Sequence, residues 1–328
     1  MTSLVELHAD HIGKVSDRWT RYVCEYDRLF APYRDRPVRL LEIGVQNGGS
    51  LEIWSRYFAQ AQILVGSDIE PGCAALTFDS PRVQLVVADV NTDEAQSRIL
   101  ALSPVFDIVI DDGSHRSSDI VESFCRYFPR LAEGGVFVAE DLHCSYWQDY
   151  EGGLYDPHSA IAFFKRLVDV INHEHWGVAR EKSAVLEGLL QAYGVAIDEE
   201  VLASIHSVEF VNSICVVRKT AAVDNVLGPR IVRGQQESVA QGHHALEGSA
   251  LVAPSQEDNP WSNLPQAPEE AWLPLQQQQR ALEAQRAQAQ EALARTREEL
   301  FQAQAAVAAF RRSFAGRLHA WWQRTFGP

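Results

Sequence analysis

Two short segments of the sequence place carboxylates and imidazoles close together, directly after apolar runs. The segments are Asp111-Asp112-Gly113-Ser114-His115 and Glu140-Asp141-Leu142-His143. Unpaired, so many acids in one place would repel each other and raise one another's pKa values. A divalent cation relieves that repulsion, and an all-oxygen ligand set favours Mg²⁺ or another hard cation over zinc. We therefore predict a metal site with Asp112, Glu140 and Asp141 as its ligands.

The imidazole of His115 would give this metal site a base. A hydroxyl group beside the cation has a lowered pKa, and a nearby imidazole takes its proton so that the oxygen can attack a methyl group. The competing role for His115 is that of a residue at a helix start whose ring bonds to the backbone. His143 would lie beyond the metal ligands, where it would support them or contact the acceptor.

A glycine-rich turn earlier in the chain has the pattern of a cofactor loop. It reads Glu42-Ile43-Gly44-Val45-Gln46-Asn47-Gly48-Gly49-Ser50. Gly44 permits a tight turn after a strand, and Gly48 lets the backbone approach a ligand closely. A dinucleotide site is the competing interpretation, but its Gly-x-Gly-x-x-Gly spacing is missing. An acid at the strand end also suits a cationic cofactor better than a diphosphate, so we predict a pocket for S-adenosylmethionine (SAM).

The predicted SAM contacts come from this loop and from the ends of later strands. Asp68 would hold the ribose diol and Asp89 would lie at the adenine edge, although a lone Asp at a strand end is often a cap or turn residue. The predicted contact residues are Glu42, Gly44, Gln46, Asn47, Gly48, Ser50, Asp68, Asp89 and Asp111.

The elements that must position these groups are five apolar runs separated by stretches of helical periodicity. The runs are 38–43, 62–67, 83–88, 105–110 and 135–139. Strands that alternate with helices predict crossover units and a parallel sheet, and ligands bind such sheets at the carboxyl ends of the strands. Each run leads into a glycine or a carboxylate, so we expect these residues to share one cleft.

Flanking periodicities complete the predicted fold. Helices are expected over 15–30, 158–176 and 184–193, and a hairpin is expected over 207–218 with its turn near Asn212-Ser213. The predicted fold class is α/β, a Rossmann-like seven-stranded methyltransferase sheet with a C-terminal antiparallel hairpin, followed by a linker and a coiled-coil helix. The segments are an N-terminal helical cap (1–37), a SAM-dependent methyltransferase domain (38–220), a linker (221–274), a coiled coil (275–310) and a basic aromatic amphipathic tail (311–328).

The last two segments predict contacts with partners. Apolar residues recur every seven positions at Leu293, Leu300, Val307, Phe314 and Trp321. This heptad spacing indicates a homo-oligomer held by a coiled coil, with a lone solvated helix as the alternative. The tail combines four arginines with Trp and Phe and has no acid, which favours contact with a membrane surface. Aromatic packing at the end of a coiled coil is the alternative for the tail.

Charge and cysteine content limit the function further. Through residue 275 there are 21 Lys and Arg against 40 Asp and Glu, and from 276 onward there are eight Arg and four Glu. An acidic body argues against nucleic acid as a partner. The five cysteines form no CxxC pair, which argues against a disulfide framework. No signal peptide and no apolar run of about 20 residues is present, so we expect a cytoplasmic protein that its tail brings to the inner face of the membrane.

Four stretches together resemble the metal-dependent sugar O-methyltransferases of the mycinamicin and tetracenomycin deoxysugar type, and related bacterial polysaccharide-cluster methyltransferases. They are Lys14–Trp19, Glu42–Ser50, Asp111–His115 and Val138–Trp147. The resemblance covers about residues 10–220 and implies a class I SAM-dependent enzyme. It implies that Asp112, Glu140 and Asp141 hold Mg²⁺ and that His115 is the base.

The resemblance also implies a sugar or glycan acceptor, free or lipid-linked. Tyr146 and Trp147 follow the metal pair and would stack on a sugar face, with core packing as the alternative for Trp147. The C-terminal coiled coil departs from the macrolide enzymes, so an antibiotic substrate does not carry over.

Two other functions compete with a SAM-dependent sugar O-methyltransferase. A mononuclear iron hydroxylase would use Asp112, His115 and His143 as a two-histidine, one-carboxylate set, but the glycine loop would then have no purpose. A catalytically idle scaffold would act through its coiled coil alone.

Overall fold

A computed structural model describes residues 2–265 and 267–327 and separates the chain into two compact units, Met1–Glu269 and Glu270–Pro328. The first unit is built on a seven-stranded sheet, and its first five strands form where the apolar runs predicted them. In chain order the strands are β1 (Arg39–Ile43), β2 (Ile63–Asp68), β3 (Val83–Val87), β4 (Phe106–Asp111), β5 (Leu131–Ala139), β6 (Ile205–Val211) and β7 (Ile214–Lys219).

The strand order in this sheet is β3-β2-β1-β4-β5-β7-β6. Strands β1 to β5 pair in parallel, and β7 pairs antiparallel with both β5 and β6. The turn of the last hairpin falls on Asn212 and Ser213, and Ser213 has a positive φ of 69°. The predicted Rossmann-like sheet with its C-terminal hairpin is therefore confirmed.

The described residues contain ten α-helices. They are α1 (Leu4–Ala9), α2 (Thr20–Phe30), α3 (Gly49–Tyr57), α4 (Asp93–Leu102), α5 (Ser117–Tyr127), α6 (Ala160–Ile171), α7 (Glu187–Tyr193), α8 (Glu199–Ala203), α9 (Pro268–Arg312) and α10 (Phe314–Phe326).

The alternation of side chains along each strand gives the sheet two buried faces. Leu41 and Val109 lie on the face that packs against α5 and α6, and Leu40 and Ile108 lie on the face that packs against α2 and α3. Each such fully buried side chain contributes about 1.5–3 kcal/mol to stability. These two layers hold the strand ends, and with them the polar segments of the site, in fixed positions.

The predicted helix over 15–30 is wrong at its start, because α2 begins only at Thr20. Residues 15–19 run along the cofactor loop instead, where the carbonyl of Val15 accepts a hydrogen bond from the Gly49 amide at 3.2 Å. Gly49 has no Cβ, and an added one would lie 2.2 Å from the carbonyl oxygen of Lys14. This close approach requires glycine and leaves the side chains of Val15 and Trp19 exposed rather than in an apolar stripe.

Two other predicted helices are shorter than expected. The helix over 158–176 begins at Ala160, where the Ser159 hydroxyl accepts from the Ala162 amide at 3.3 Å, and it ends at Ile171. The helix over 184–193 begins at Glu187, after a 3-10 turn whose Lys182 and Ser183 amides donate to Glu199. The adjacent cap Ser159 thus sets the first of these boundaries, and the more distant Glu199 holds the turn that precedes the second.

The second unit consists of α9 and α10. Helix α9 starts at Pro268, before the predicted end of the linker at residue 274, and the linker itself contains only short 3-10 turns. The helix stops at Arg312, and the Ser313 hydroxyl caps α10 by accepting from the Gly316 amide at 3.1 Å. The predicted heptad seam therefore does not continue to Phe314 and Trp321 in one helix. Its earlier residues, such as Leu293 and Leu300, are exposed within this unit.

No helix in the described ranges 2–265 and 267–327 is long and apolar enough to cross a membrane.

Candidate active site

Strands β4 and β5 end side by side and bring three of the predicted site residues together. Asp112, His115 and Asp141 each offer one ligand atom, and these atoms all lie within 4.8 Å of one another, so the three residues could hold a metal ion. The Nε2 atom of His115 is 3.5 Å from Oδ2 of Asp141. All three side chains are partly buried.

Left-handed backbone geometry aims two of these side chains into the site. His115 has a φ of 60° and Asp141 a φ of 51°, and non-glycine residues adopt such values at a cost of about 1–2 kcal/mol. Tyr22 holds Asp141 in this conformation, because its hydroxyl donates to Oδ1 of Asp141 at 2.6 Å and accepts from the Asp141 amide at 3.1 Å. The indole of Trp19 donates to the same Oδ1 atom at 3.1 Å. Strain that a local network maintains is typical of functional sites.

Glu140 lies on the other side of the strand end. Consecutive residues of an extended chain point to opposite faces, so Glu140 faces α2, where its carboxylate is buried and accepts hydrogen bonds from Arg18 and Tyr26. The structure therefore places the predicted ligand Glu140 beside Asp112 at Arg18, but not in the group of Asp112, His115 and Asp141 that could hold a metal ion. Burial raises the pKa of Glu140, and the adjacent Arg18 guanidinium opposes that rise.

The Arg18 side chain links the predicted metal ligands to the glycine-rich loop. Only 4% of it is exposed, Nη2 lies 2.5 Å from Oε1 of Glu42, and Nη1 lies 2.9 Å from Oδ2 of Asp112 while also contacting Glu140. One guanidinium thus contacts carboxylates at the ends of β1, β4 and β5 and offsets part of their negative charge. An arginine fork provides enough donors for several carboxylate oxygens at once.

His115 has the electrostatics of a base. Burial lowers the pKa of its imidazole below the ordinary value, because removal from water disfavours the charged form, and Asp141 opposes this effect. The ring is therefore neutral near pH 7 and able to take a proton. Helix α5 begins two residues after His115, at Ser117, and Arg116 is its N-cap.

A pocket of about 290 Å³ opens at the carboxyl ends of β1, β2 and β4. Five of the predicted SAM contacts line it, namely Gly44, Gln46, Asp68, Asp89 and Asp111. Gly44 has a φ of 90°, and a Cβ there would lie 2.0 Å from the carbonyl oxygen of Asp112, so only glycine lets the loop meet β4. The pocket also includes Asp112, which joins it directly to the metal residues.

The aspartates of this pocket are held by hydrogen bonds. Oδ2 of Asp68 accepts from the amides of Val45 and Gln46 at 2.7 and 2.8 Å, so Asp68 shapes the cofactor loop from below. Asp89 is exposed at the rim, and its Oδ1 accepts from the Asn91 amide at 3.0 Å. Burial raises the pKa of Asp111 to about 6, and the Ser123 hydroxyl donates to its carboxylate.

Four predicted SAM contacts lie outside the pocket lining, namely Glu42, Asn47, Gly48 and Ser50. Glu42 is fully buried, and besides Arg18 it accepts from the Ser50 hydroxyl at 2.8 Å and the Trp54 indole at 3.1 Å. Glu42 and Ser50 therefore brace the loop from inside the protein. The role of Glu42 beside a ligand's cationic groups stays a prediction.

Aromatic rings surround the open side of the metal residues. The ring of His143 lies 5.1 Å from that of Trp147 and 6.1 Å from that of Trp19, and Tyr150 lies 6.0 Å from Trp147. Half of Trp147 (51%) is exposed, so core packing does not explain this residue, and Tyr146 is exposed beside it. Nδ1 of His143 is 2.5 Å from the Ser213 hydroxyl, which fixes the imidazole against the β6–β7 turn.

Sequence reasoning did not assign roles to Arg18, Tyr22 and Tyr26. The two tyrosines are four residues apart, so they lie on one helix face, but a pattern of apolar residues does not indicate that their hydroxyls form hydrogen bonds. Arg18 lies within the Lys14–Trp19 stretch, and its residue type and position do not identify its partner. Each of the three bonds to a carboxylate more than 100 residues away, namely Arg18 and Tyr26 to Glu140 and Tyr22 to Asp141.

No protein-family model matches this chain. It is 43% identical over 173 residues to the 8-demethyl-8-α-L-rhamnosyl tetracenomycin-C 2'-O-methyltransferase of Streptomyces olivaceus, a match that covers 49% of this chain and 44% of that protein. It is 38% identical over 160 residues to the mycinamicin VI 2''-O-methyltransferase of Micromonospora griseorubida, covering 45% of this chain and 39% of that protein. The chain thus spans less than half the length of these relatives.

Among solved structures, the chain is similar to the MycE methyltransferase from the mycinamycin biosynthetic pathway, in complex with Mg, SAH and mycinamycin VI. The TM-score is 0.55 at 26% sequence identity, over 74% of this chain and 58% of that chain. The resemblance to the sugar O-methyltransferases is confirmed. This chain shares their class I methyltransferase fold, as the five parallel strands and the terminal hairpin show.

The two competing functions are not supported. A sugar O-methyltransferase relationship gives no basis for an iron hydroxylase, and in the described residues the group that could hold a metal contains Asp141 in place of His143. The relatives are named as enzymes of methyl transfer, which gives an idle scaffold no support either.

Proposed function

We propose that this chain transfers a methyl group from SAM to a hydroxyl of a sugar or glycan, with the help of a divalent cation. The observation that carries the proposal is the meeting of Asp112, His115 and Asp141 next to the pocket behind the glycine loop. That pocket would hold the methyl donor, and the three side chains would prepare the acceptor oxygen beside it.

SAM would lie along the pocket at the ends of β1, β2 and β4. The Gly44 and Gln46 backbone would contact the cofactor closely, and Asp68 and Asp89 would face its ribose and adenine from the rim. Asp111 would lie deepest, braced by Ser123. The buried acid Asp111, which lines this pocket, suits a cofactor with a positive sulfur centre.

Asp112 and Asp141 are the proposed metal ligands that the geometry supports directly. Glu140 remains the third proposed ligand, since Nη1 of Arg18 contacts both Asp112 and Glu140 and so marks a place between them that accepts positive charge. Carboxylate oxygens are the ligands that Mg²⁺ prefers. The cation, when bound, would supply positive charge that lowers the pKa of the acceptor hydroxyl.

His115 would complete the proton transfer. Its neutral ring accepts the proton of the acceptor hydroxyl on Nε2, and Asp141, 3.5 Å away, stabilises the imidazolium that forms. The acceptor oxygen then forms a bond to the methyl carbon. The sulfur–methyl bond breaks as its electron pair returns to sulfur, which gives S-adenosylhomocysteine.

The exposed rings of Trp147, Tyr146 and Trp19 would orient the sugar over these groups. Apolar faces of sugars pack on aromatic rings, whose indole and phenol groups also supply hydrogen bonds. This arrangement supports a sugar or glycan acceptor, as in the relatives, and leaves the part of the acceptor beyond the sugar to other surfaces of the chain.

Two experiments test the function. Calorimetry measures SAM binding, and an assay with radiolabelled SAM measures transfer of label to glycans from a strain that lacks this chain. We expect SAM binding without added metal, label transfer that EDTA abolishes, and recovery with Mg²⁺. Absence of SAM binding would overturn the methyltransferase proposal. Transfer that is indifferent to EDTA would overturn the role of the cation alone.

We further propose that α9 joins copies of the chain and that α10 contacts a membrane surface. In α9 the seam residues are exposed, and in α10 the exposed Trp321, Trp322 and Phe326 share a helix with Arg317 and Arg324. Light scattering tests the first proposal. Co-sedimentation with anionic and neutral lipid vesicles tests the second, where binding only to anionic vesicles is expected and a W321E/W322E variant should lose it.

A further inference from the structure

Two neighbouring cavities lie beside the acceptor side of the proposed active site. The first, which we call the acceptor pocket, has a volume of about 340 Å³ and is bordered by His143, Tyr146 and the β6–β7 turn. The second, which we call the cationic pocket, has a volume of about 480 Å³. Ile161 and Lys165 of α6 line both cavities, so the exposed Lys165 side chain lies where the two cavities adjoin.

The lining of the cationic pocket carries more cations than acids, whereas the rest of its unit is acidic. Lys165, Arg166 and Arg180 line it together with Asp156 and Asp169. This excess of cations stands out because acids outnumber bases about two to one through residue 275. Like charges gathered in a cavity concentrate a ligand of the opposite sign.

Two of these cations have no carboxylate partner of their own within the described part of the chain. Lys165 and Arg180 are exposed and form no ion pair there, whereas Arg116 of the same unit is paired with Glu151. Of the two acids in the pocket, Asp156 accepts from the His158 amide at 2.9 Å, and Asp169 lies beside Arg166, whose charge counters the effect of burial on the pKa of Asp169. The donors of Lys165 and Arg180 are thus available to a ligand.

We propose that the cationic pocket binds a diphosphate group of the acceptor, so that the acceptor is a glycosyl diphosphate. This inference rests on the proposed function, since it takes the reacting hydroxyl to lie at His115 and the rest of the sugar to reach His143 and the acceptor pocket. The sugar would occupy the acceptor pocket, and the diphosphate oxygens would accept hydrogen bonds from Lys165 and Arg180. Charge-assisted bonds to phosphate are the strongest that such side chains form.

The group beyond the diphosphate would contact the mouth of the cationic pocket. Tyr155 and Trp261 line it and are 86% and 77% exposed, together with exposed Leu154. A nucleobase or an isoprenoid chain would gain from packing on these rings. Nucleotide-linked and lipid-linked sugars share the diphosphate, so the experiment must separate them.

Calorimetry on the full chain, saturated with S-adenosylhomocysteine and in EDTA, uses inorganic pyrophosphate as the probe. We expect pyrophosphate to bind and each of Lys165→Ala and Arg180→Ala to weaken binding roughly tenfold or more. Lys165→Arg should retain most of the affinity. Arg98→Ala, which removes an exposed cation on α4, is the matched control and should leave the affinity unchanged.

Competition against pyrophosphate then separates the two sources. If a nucleoside diphosphate competes more strongly than farnesyl diphosphate, and Trp261→Ala removes this difference, the acceptor is a nucleotide-linked sugar. The reverse order would indicate a lipid-linked sugar. The proposal is overturned if pyrophosphate does not bind, or if it binds Lys165→Ala and Arg180→Ala as tightly as the unaltered chain. In that case SAM binding and metal-dependent transfer to a neutral glycoside would still stand, whereas loss of SAM binding would remove the proposed function itself.

Discussion

The two units of the chain use charged and apolar side chains in opposite ways. In the first unit, Arg18, Glu42 and Glu140 are buried against each other, and the apolar residues of the central strands are covered on both faces. In the second unit the charged residues face solvent, as in the Arg295–Glu291 pair, and the seam leucines of α9 are exposed.

This difference indicates where each unit obtains its stability. The first unit completes its own core, so it can afford a buried charge network at the site, where each group depends on the others. The second unit has little apolar surface covered, and a long helix of this kind gains most of its stability from packing against a partner. We therefore expect substitutions in the two units to differ greatly in size and in kind.

The largest expected effect is on turnover, at His115. His115→Ala removes the proposed base and should lower kcat by about 100- to 10,000-fold while SAM affinity stays unchanged. Methyl transfer to the acceptor and calorimetry with SAM measure the two quantities. His206→Ala, on exposed β6, is the control, and a His115→Ala variant that keeps half of the turnover would disprove the assignment.

The next effect is on the stability of the first unit, at Arg18. Arg18→Met leaves Glu42, Asp112 and Glu140 without their shared cation and should lower the free energy of unfolding by about 3–5 kcal/mol. Denaturant titration measures this change. Arg28→Met, which removes a 52% exposed arginine of α2 paired with Glu25 and Glu209, should cost less than about 1 kcal/mol. Equal costs at the two positions would contradict the network.

In the second unit, a seam substitution should change association and leave the site intact. Leu300→Glu places a charge in the proposed seam of α9 and should weaken self-association by about tenfold or more. Sedimentation velocity measures the oligomeric state, with SAM affinity expected to be unaltered. Ala305→Glu, on the opposite side of α9, is the control. A chain that is already monomeric would rule out α9 as the contact.

The smallest expected effect concerns a surface ion pair of α9. The guanidinium of Arg295 lies 2.6 Å from a carboxylate oxygen of Glu291, but both side chains are largely exposed. Arg295→Ala should therefore change the stability of the second unit by no more than about 0.5 kcal/mol. Thermal unfolding of residues 270–328 measures it, and a change several times larger would mean that this face of α9 is buried against a partner.

Much of the first unit follows from local patterns. The strands from β1 to β5 lie within a few residues of their predicted runs, except that β5 begins earlier, and the terminal hairpin turns at Ser213 as expected. Asp112, His115 and Asp141 meet because strand ends of a parallel sheet meet. The helix starts were less predictable, since Ser159 and Glu199 cap backbone amides through contacts that periodicity does not contain.

The sheet, the glycine loop and the gathering of acids and imidazoles at one edge follow from the sequence alone, because side-chain periodicity and glycine geometry are properties of neighbouring residues. How those acids divide follows only from the packing of distant elements. Glu140 turns to Arg18 and Tyr26, while Asp141 turns to His115 and Tyr22. That division depends on the packing of α2, whose Tyr22 and Tyr26 each hold one of the two acids from more than 100 residues earlier in the chain.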